Sequence, residues 1–160
     1  MTARLLGPAD AQLWRALWAE ALAETPAAFA RRDADGPALS VEVLEARRAA
    51  VLASVRAFVW ETPDPVACAL WCRDADPALP GRGWVEAVFV RRFSRGQGIA
   101  ARLLAALAAD AHAHGIAELW LEVGTDNAAA RAAYARAGFT PAPAPAGRSS
   151  ELALRLRLPR

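Results

Sequence analysis

The sequence predicts a mixed-sheet α/β domain, and three observations carry that reading. Between Val55 and Val90, runs rich in β-branched and aromatic residues alternate with short turns bearing Pro, Gly and Asp, the pattern of an antiparallel meander. A strand–helix–strand unit follows, which implies a local parallel pair joined by a right-handed crossover. Finally, 160 residues with 55% hydrophobic and 22% charged content can bury a core, and no linker divides them, so residues 1–160 read as one domain.

In order along the chain, Asp10 stands where it can cap a helix over 11–24, with Leu13, Trp14, Leu17, Trp18 and Leu22 at helical spacing and Pro26 as the stop. Residues 30–39 read as a loop, and Ser40 opens a short second helix over 40–50. Strands are expected over 55–61, 66–73 and 84–90, the first closed by Thr62-Pro63-Asp64-Pro65 and the second by a loop to Gly83. Ser94-Arg95-Gly96-Gln97-Gly98 feeds a helix over 99–114, buried through Leu103, Leu104 and Leu107 and ended by Gly115. A strand over 118–123, a turn at Gly124-Thr125-Asp126-Asn127 and a helix over 128–137 stopped by Gly138 come next. Residues 141–147 read as a Pro-Ala loop, and 151–158 as a last strand of alternating pattern.

Composition excludes several classes. Two cysteines make no disulfide framework, and Cys68 and Cys72 have no second Cys/His pair placed to complete a zinc site. Apolar runs break well short of the roughly 18 residues a membrane span needs. The N-terminus carries no apolar leader, so a cytoplasmic protein without a membrane partner is expected. A net charge of +2, with scattered cations, gives no nucleic-acid footprint. All 19 cations are Arg, so neither a lysine Schiff base nor a Walker loop is open to the chain. Trp14 and Trp18 suit the core; Trp60, Trp71 and Trp84 either pack or line a substrate side. His112 and His114 suit a helix C-terminus. The terminal strand offers an edge at which two copies could pair as a homodimer.

The informative segment is Val90-Arg91-Arg92-Phe93-Ser94-Arg95-Gly96-Gln97-Gly98-Ile99-Ala100. It lies between a strand and a helix. Its glycines let consecutive N–H groups face outward at the positive end of the helix, a site for a phosphate or diphosphate. Ala100 and Ala101 keep the first turn small, and Arg91, Arg92 and Arg95 can add charge. An ordinary glycine turn feeding a helix remains the alternative. Here the chain resembles the GCN5-related N-acetyltransferase superfamily. Arg95-x-x-Gly98-x-Ala100 is similar to its acetyl-CoA diphosphate motif. Leu119-Trp120-Leu121-Glu122-Val123, Asn127-Ala128-Ala129-Ala130, Tyr134 and Gly138-Phe139 follow the second block in order. Arg92 stands where a proline is common.

The resemblance implies the acyl-CoA N-acyltransferase fold: a central, mostly antiparallel twisted sheet, one splayed parallel strand pair and flanking helices. It implies an N-acetyltransferase, with acetyl-CoA as cosubstrate, no metal, and direct attack by a primary amine without an acyl-enzyme. The pantetheine arm would pair with the backbone of Val88, Phe89 and Val90, and the diphosphate would sit on Arg95, Gly96, Gln97, Gly98, Ile99, Ala100 and Ala101. Tyr134, the one tyrosine, would protonate the leaving thiolate, since a phenol with ordinary pKa about 10 matches a thiolate of similar basicity; otherwise it only packs. Asn127 would bond the coenzyme arm, cap a helix, or both. Glu86, expected on one strand face with Val88 and Val90, or Glu122 would serve as base; either could equally face solvent. A small-molecule acceptor is favoured over a protein amine because no charged tract marks a docking face. A non-catalytic acyl-CoA sensor is the alternative of another class.

Overall fold

A computed structural model describes residues 1–25, 28, 55–145 and 152–159. The expected loop over 30–39 and helix over 40–50 lie outside the described residues. The strands are β1 (Thr2–Leu5), β2 (Arg56–Glu61), β3 (Pro65–Arg73), β4 (Arg82–Val90), β5 (Glu118–Val123), β6 (Thr140–Pro141) and β7 (Leu152–Arg157). The helices are α1 (Ala11–Glu24), α2 (Ile99–Ala113) and α3 (Ala128–Arg136), with single 3-10 turns at Pro8–Asp10 and Arg92–Ser94. The strands form one mixed sheet in the order β1-β2-β3-β4-β5-β7-β6. Only β4 and β5 pair in parallel; the other neighbours are antiparallel.

Two elements were absent from the sequence reading. β1 pairs along β2 from Thr2↔Glu61 to Leu5↔Phe58, and Thr140–Pro141 forms a short edge strand on β7 where a loop was expected to begin. Asp10 precedes α1 as expected but makes no side-chain cap bond to it. Its carboxylate instead accepts from the Gly7 N–H at 2.9 Å and from Arg4 at 3.0 Å, which ties the β1 exit to the helix entry. The Gly7 hydrogen bond, opposed by partial burial and aided by Arg4, holds Asp10 below the usual carboxylate range.

The helices cover opposite faces of the sheet. On one, α1 buries Trp14, Leu17 and Ala21 against Val59, Cys68, Leu70 and Phe89. On the other, α2 buries Ile99, Leu103, Leu104, Leu107 and Ala111 against Phe58, Trp60, Trp71, Leu119 and Leu121. Each such leucine contributes roughly 1.5–3 kcal/mol of apolar burial, so packing, more than local propensity, fixes α2 to the strands that flank the site. Trp60, Trp71 and Trp84 are all buried and pack.

Candidate active site

β4 and β5 pair only at their starts, where Arg82, Gly83 and Trp84 meet Glu118, Leu119 and Trp120. Beyond that register the ladder between them stops, and the two strands open as a fork. Its root is tightly built. The Trp84 and Trp120 rings lie 6.2 Å apart, and the guanidinium carbons of Arg82 and Arg155 sit 5.2 and 5.4 Å from the Trp120 ring. Gly83 permits this approach: a Cβ there would stand 2.9 Å from Leu119 Cδ2 and 3.3 Å from the Cys72 carbonyl oxygen.

One prong of the fork carries a bulge. The β3–β4 register passes from Cys68↔Phe89 to Leu70↔Glu86, so Ala87 and Val88 oppose the single residue Ala69. Ala87 adopts φ 55°, a left-handed conformation at a non-glycine residue. Val85, Val88 and Val90 pack beneath α2, whereas Ala87 and Phe89 pack beneath α1. Glu86, opposite Val85 by strand alternation, therefore faces the α1 side. The expectation that it shares a face with Val88 and Val90 is corrected: the extra residue reverses the alternation.

On β5, Leu119, Leu121 and Val123 fill the α2 side. Glu122 thus shares a face with Trp120, as Glu86 does with Trp84. Both glutamates stand two residues past the last paired register, on one side of the fork, and the Oε1 of Glu122 is buried. Tyr134 is on the other side. It is half-buried against the cluster beneath α2, its ring 6.1 Å from that of Phe139 in an edge-on arrangement. Asn127 accepts a hydrogen bond from the Ala130 N–H at 3.1 Å and so caps α3, the helix carrying Tyr134.

The β4 edge leads into the glycine loop. The Arg91 N–H donates to the Val66 carbonyl at 2.8 Å, which makes Val90 and Ala67 the following non-bonded pair, with the Val90 N–H and C=O turned into the fork. Gly96 and Gly98 take φ 76° and 72°, and Gly98 is the residue before α2. The first helical bond runs from the Arg102 N–H to the Gly98 carbonyl at 3.2 Å. The N–H groups of Ile99, Ala100 and Ala101 consequently have no partner within the helix and point from its positive end. The Ile99 side chain is buried in the core and fixes the helix start, while Gln97 is exposed.

The arginines differ from expectation. Arg91 pairs with Glu20 at 2.9 Å and Arg95 with Glu24 at 2.6 Å, both glutamates on α1. Their charge is compensated rather than offered outright to a ligand. Sequence reasoning missed Arg102, which donates to the Gln97 carbonyl and lies 5.5 Å over the Trp60 ring; its signal was its place one helical turn after Gly98. A surface hollow of about 580 Å³ bordered by His112, Glu118 and Arg157 opens at the opposite end of β5 and is separate from the fork. Among the described residues no His, Cys, Asp and Glu cluster could hold a metal ion, and no helix is long and apolar enough to cross a membrane.

A forked parallel pair meeting a glycine loop and a helix start is the architecture of acyl-CoA N-acyltransferases. Residues 13–139 match the family model of the acetyltransferase (GNAT) family, and the chain belongs to that family and is an acetyltransferase. Solved structures agree on the fold. The chain is similar to yncA from Salmonella typhimurium, solved with its cofactor acetyl-CoA, with TM-score 0.75, 20% identity and coverage of 100% of this chain and 95% of that one. It is similar to an acetyltransferase of the GNAT family from Streptococcus pneumoniae, with TM-score 0.74, 20% identity and 99% of each chain covered. It is also similar to a ribosomal-protein-alanine N-acetyltransferase from Brucella melitensis, with TM-score 0.72, 22% identity and coverage of 99% and 100%. No curated protein matches the chain.

Proposed function

We propose that the chain transfers the acetyl group of acetyl-CoA to the primary amine of a small molecule by direct attack. The observation that carries this reading is the continuity of the Val90 edge, open to the fork, with the N–H row of Ile99, Ala100 and Ala101. An extended amide-bearing arm can lie along Val88, Phe89 and Val90 as an added strand. Its diphosphate then meets residues Arg95 to Ala101, where backbone dipoles favour an anion. The thioester falls in the fork.

The two faces then divide the work. On the α1 side, Glu86 or Glu122 takes the proton that the attacking ammonium must lose. On the α2 side, Tyr134 returns a proton to the thiolate as the carbon–sulfur bond breaks, so no charge is left on sulfur. Asn127 holds the start of the helix that sets Tyr134 in place. No acyl-enzyme forms: the amine nitrogen itself bonds to the thioester carbon, and the coenzyme leaves as its thiol.

Thiol release from acetyl-CoA, measured against a panel of small amines and peptide N-termini, tests the reading. Tyr134→Phe is expected to lower kcat by about a hundredfold or more with coenzyme affinity kept. Unchanged turnover removes Tyr134 from the mechanism. Coenzyme binding without thiol release on any amine or peptide indicates a sensor module instead, and turnover on peptides alone indicates a protein amine as acceptor.

A further inference from the structure

We infer that Arg95, held by Glu24 of α1 across the open edge of β4, occupies the place of the coenzyme arm until a ligand carrying its own diphosphate draws it away. The inference rests on the reading of the fork as the coenzyme site. The Arg95 guanidinium makes two contacts at once: Nε donates to the Val90 carbonyl at 2.7 Å, and Nη2 pairs with Glu24 Oε2 at 2.6 Å. The Val90 carbonyl is the acceptor that an incoming arm would use. Arg95 therefore stands where the arm's amide N–H belongs, with its guanidinium carbon 5.9 Å over the Phe89 ring.

Entry of an arm requires Arg95 to leave Val90, and its pairing with Glu24 opposes that movement. A diphosphate at the start of α2 offers Arg95 a replacement anion; a pantetheine arm alone offers none. Charge is conserved in the exchange: Arg95 passes from carboxylate to phosphate, and Glu24, 30% exposed, is left to solvent. Arg91 and Glu20 supply an internal control. They form the same kind of pair one helical turn earlier, but Arg91 donates its second contact to the Pro65 carbonyl at 2.9 Å, on the far side of β4 from the fork.

The pair is partly exposed, so its effect on binding is modest. Calorimetric titration of coenzyme A and of pantetheine into the full chain is the test. Glu24→Gln is expected to bind coenzyme A about three- to fivefold more tightly than wild type, whereas Glu20→Gln, which removes the same charge from the same helix, leaves the affinity unchanged. Arg95→Ala is expected to bind pantetheine more tightly and coenzyme A less tightly, which narrows the discrimination between them. Equal affinities of Glu24→Gln and wild type for coenzyme A overturn the inference, as does an equal gain in Glu20→Gln. Failure of wild type to bind coenzyme A at all overturns the reading of the fork instead.

Discussion

Asp110 shows how one side chain joins three elements. Its carboxylate accepts from Arg56 of β2 at 2.5 and 2.7 Å and from the Trp71 indole of β3 at 2.8 Å, while its backbone belongs to α2. Burial alone would raise its pKa, but the hydrogen bonds from Arg56 and Trp71 outweigh burial and hold it below the usual range. A carboxylate with a depressed native pKa contributes stability above its unfolded pKa and loses it as pH falls through the native one. Asp110→Asn should therefore cost about 1–3 kcal/mol at pH 7, and its gap to wild type should shrink on acidification. Urea denaturation of both proteins at pH 7 and pH 3 checks this; a gap that stays constant removes the ionised form from the account. At the same scale, burial drives the Cys68 thiol up to about 12, in keeping with a packing role for this residue.

At the scale of elements, the close approach at Gly83 sets the fork. Gly83→Ala places a methyl group against the Leu119 side chain and the Cys72 carbonyl, and the backbone contact cannot rotate away. The expected loss is about 1–3 kcal/mol in chemical denaturation, with coenzyme affinity reduced as the prongs shift; full stability would show that β4 and β5 separate without strain. Most elements were legible because each carries its own period. α2 is marked by Leu103, Leu104 and Leu107, and β5 by Leu119, Leu121 and Val123. β1 was not, since Thr2-Ala3-Arg4-Leu5 is too short to show alternation and its partner lies more than fifty residues away at Arg56–Glu61. The bulge was also hidden. Glu86-Ala87-Val88-Phe89 reads as regular strand, and an alanine at φ 55° leaves none of the trace that a glycine would. The side of the sheet that Glu86 faces was thus beyond the sequence, although its position at the fork was not. The glycine loop was legible down to individual residues; the pairing of Arg91 and Arg95 was not, because their partners sit on a distant helix.

For the whole molecule, the two faces of the sheet are tied to different helices. α1 reaches the loop through the Glu24–Arg95 pair, and α2 carries the N–H row. A ligand lying through the fork touches both halves and should stabilise the entire fold rather than one segment. At a coenzyme A concentration one hundred times its dissociation constant the gain is about 2.7 kcal/mol, which for a chain of this size is a rise in Tm on the order of 5–10 °C. Differential scanning calorimetry measures it, and an unmoved transition would remove the coenzyme from the fork.

The three-register pairing at the base of β4 and β5 works as a pivot. Because β4 is paired with β3 as far as Ala67↔Val90 and β5 with β7 as far as Val123↔Leu152, a rotation made there turns the two halves of the sheet against each other and changes the gap between Val90 and Val123. Repacking of Trp84, Trp120, Arg82 or Arg155 too slight to register as a change in melting would still change the spacing of the prongs at their open end. Turnover should accordingly be the first property to respond to substitutions at this root.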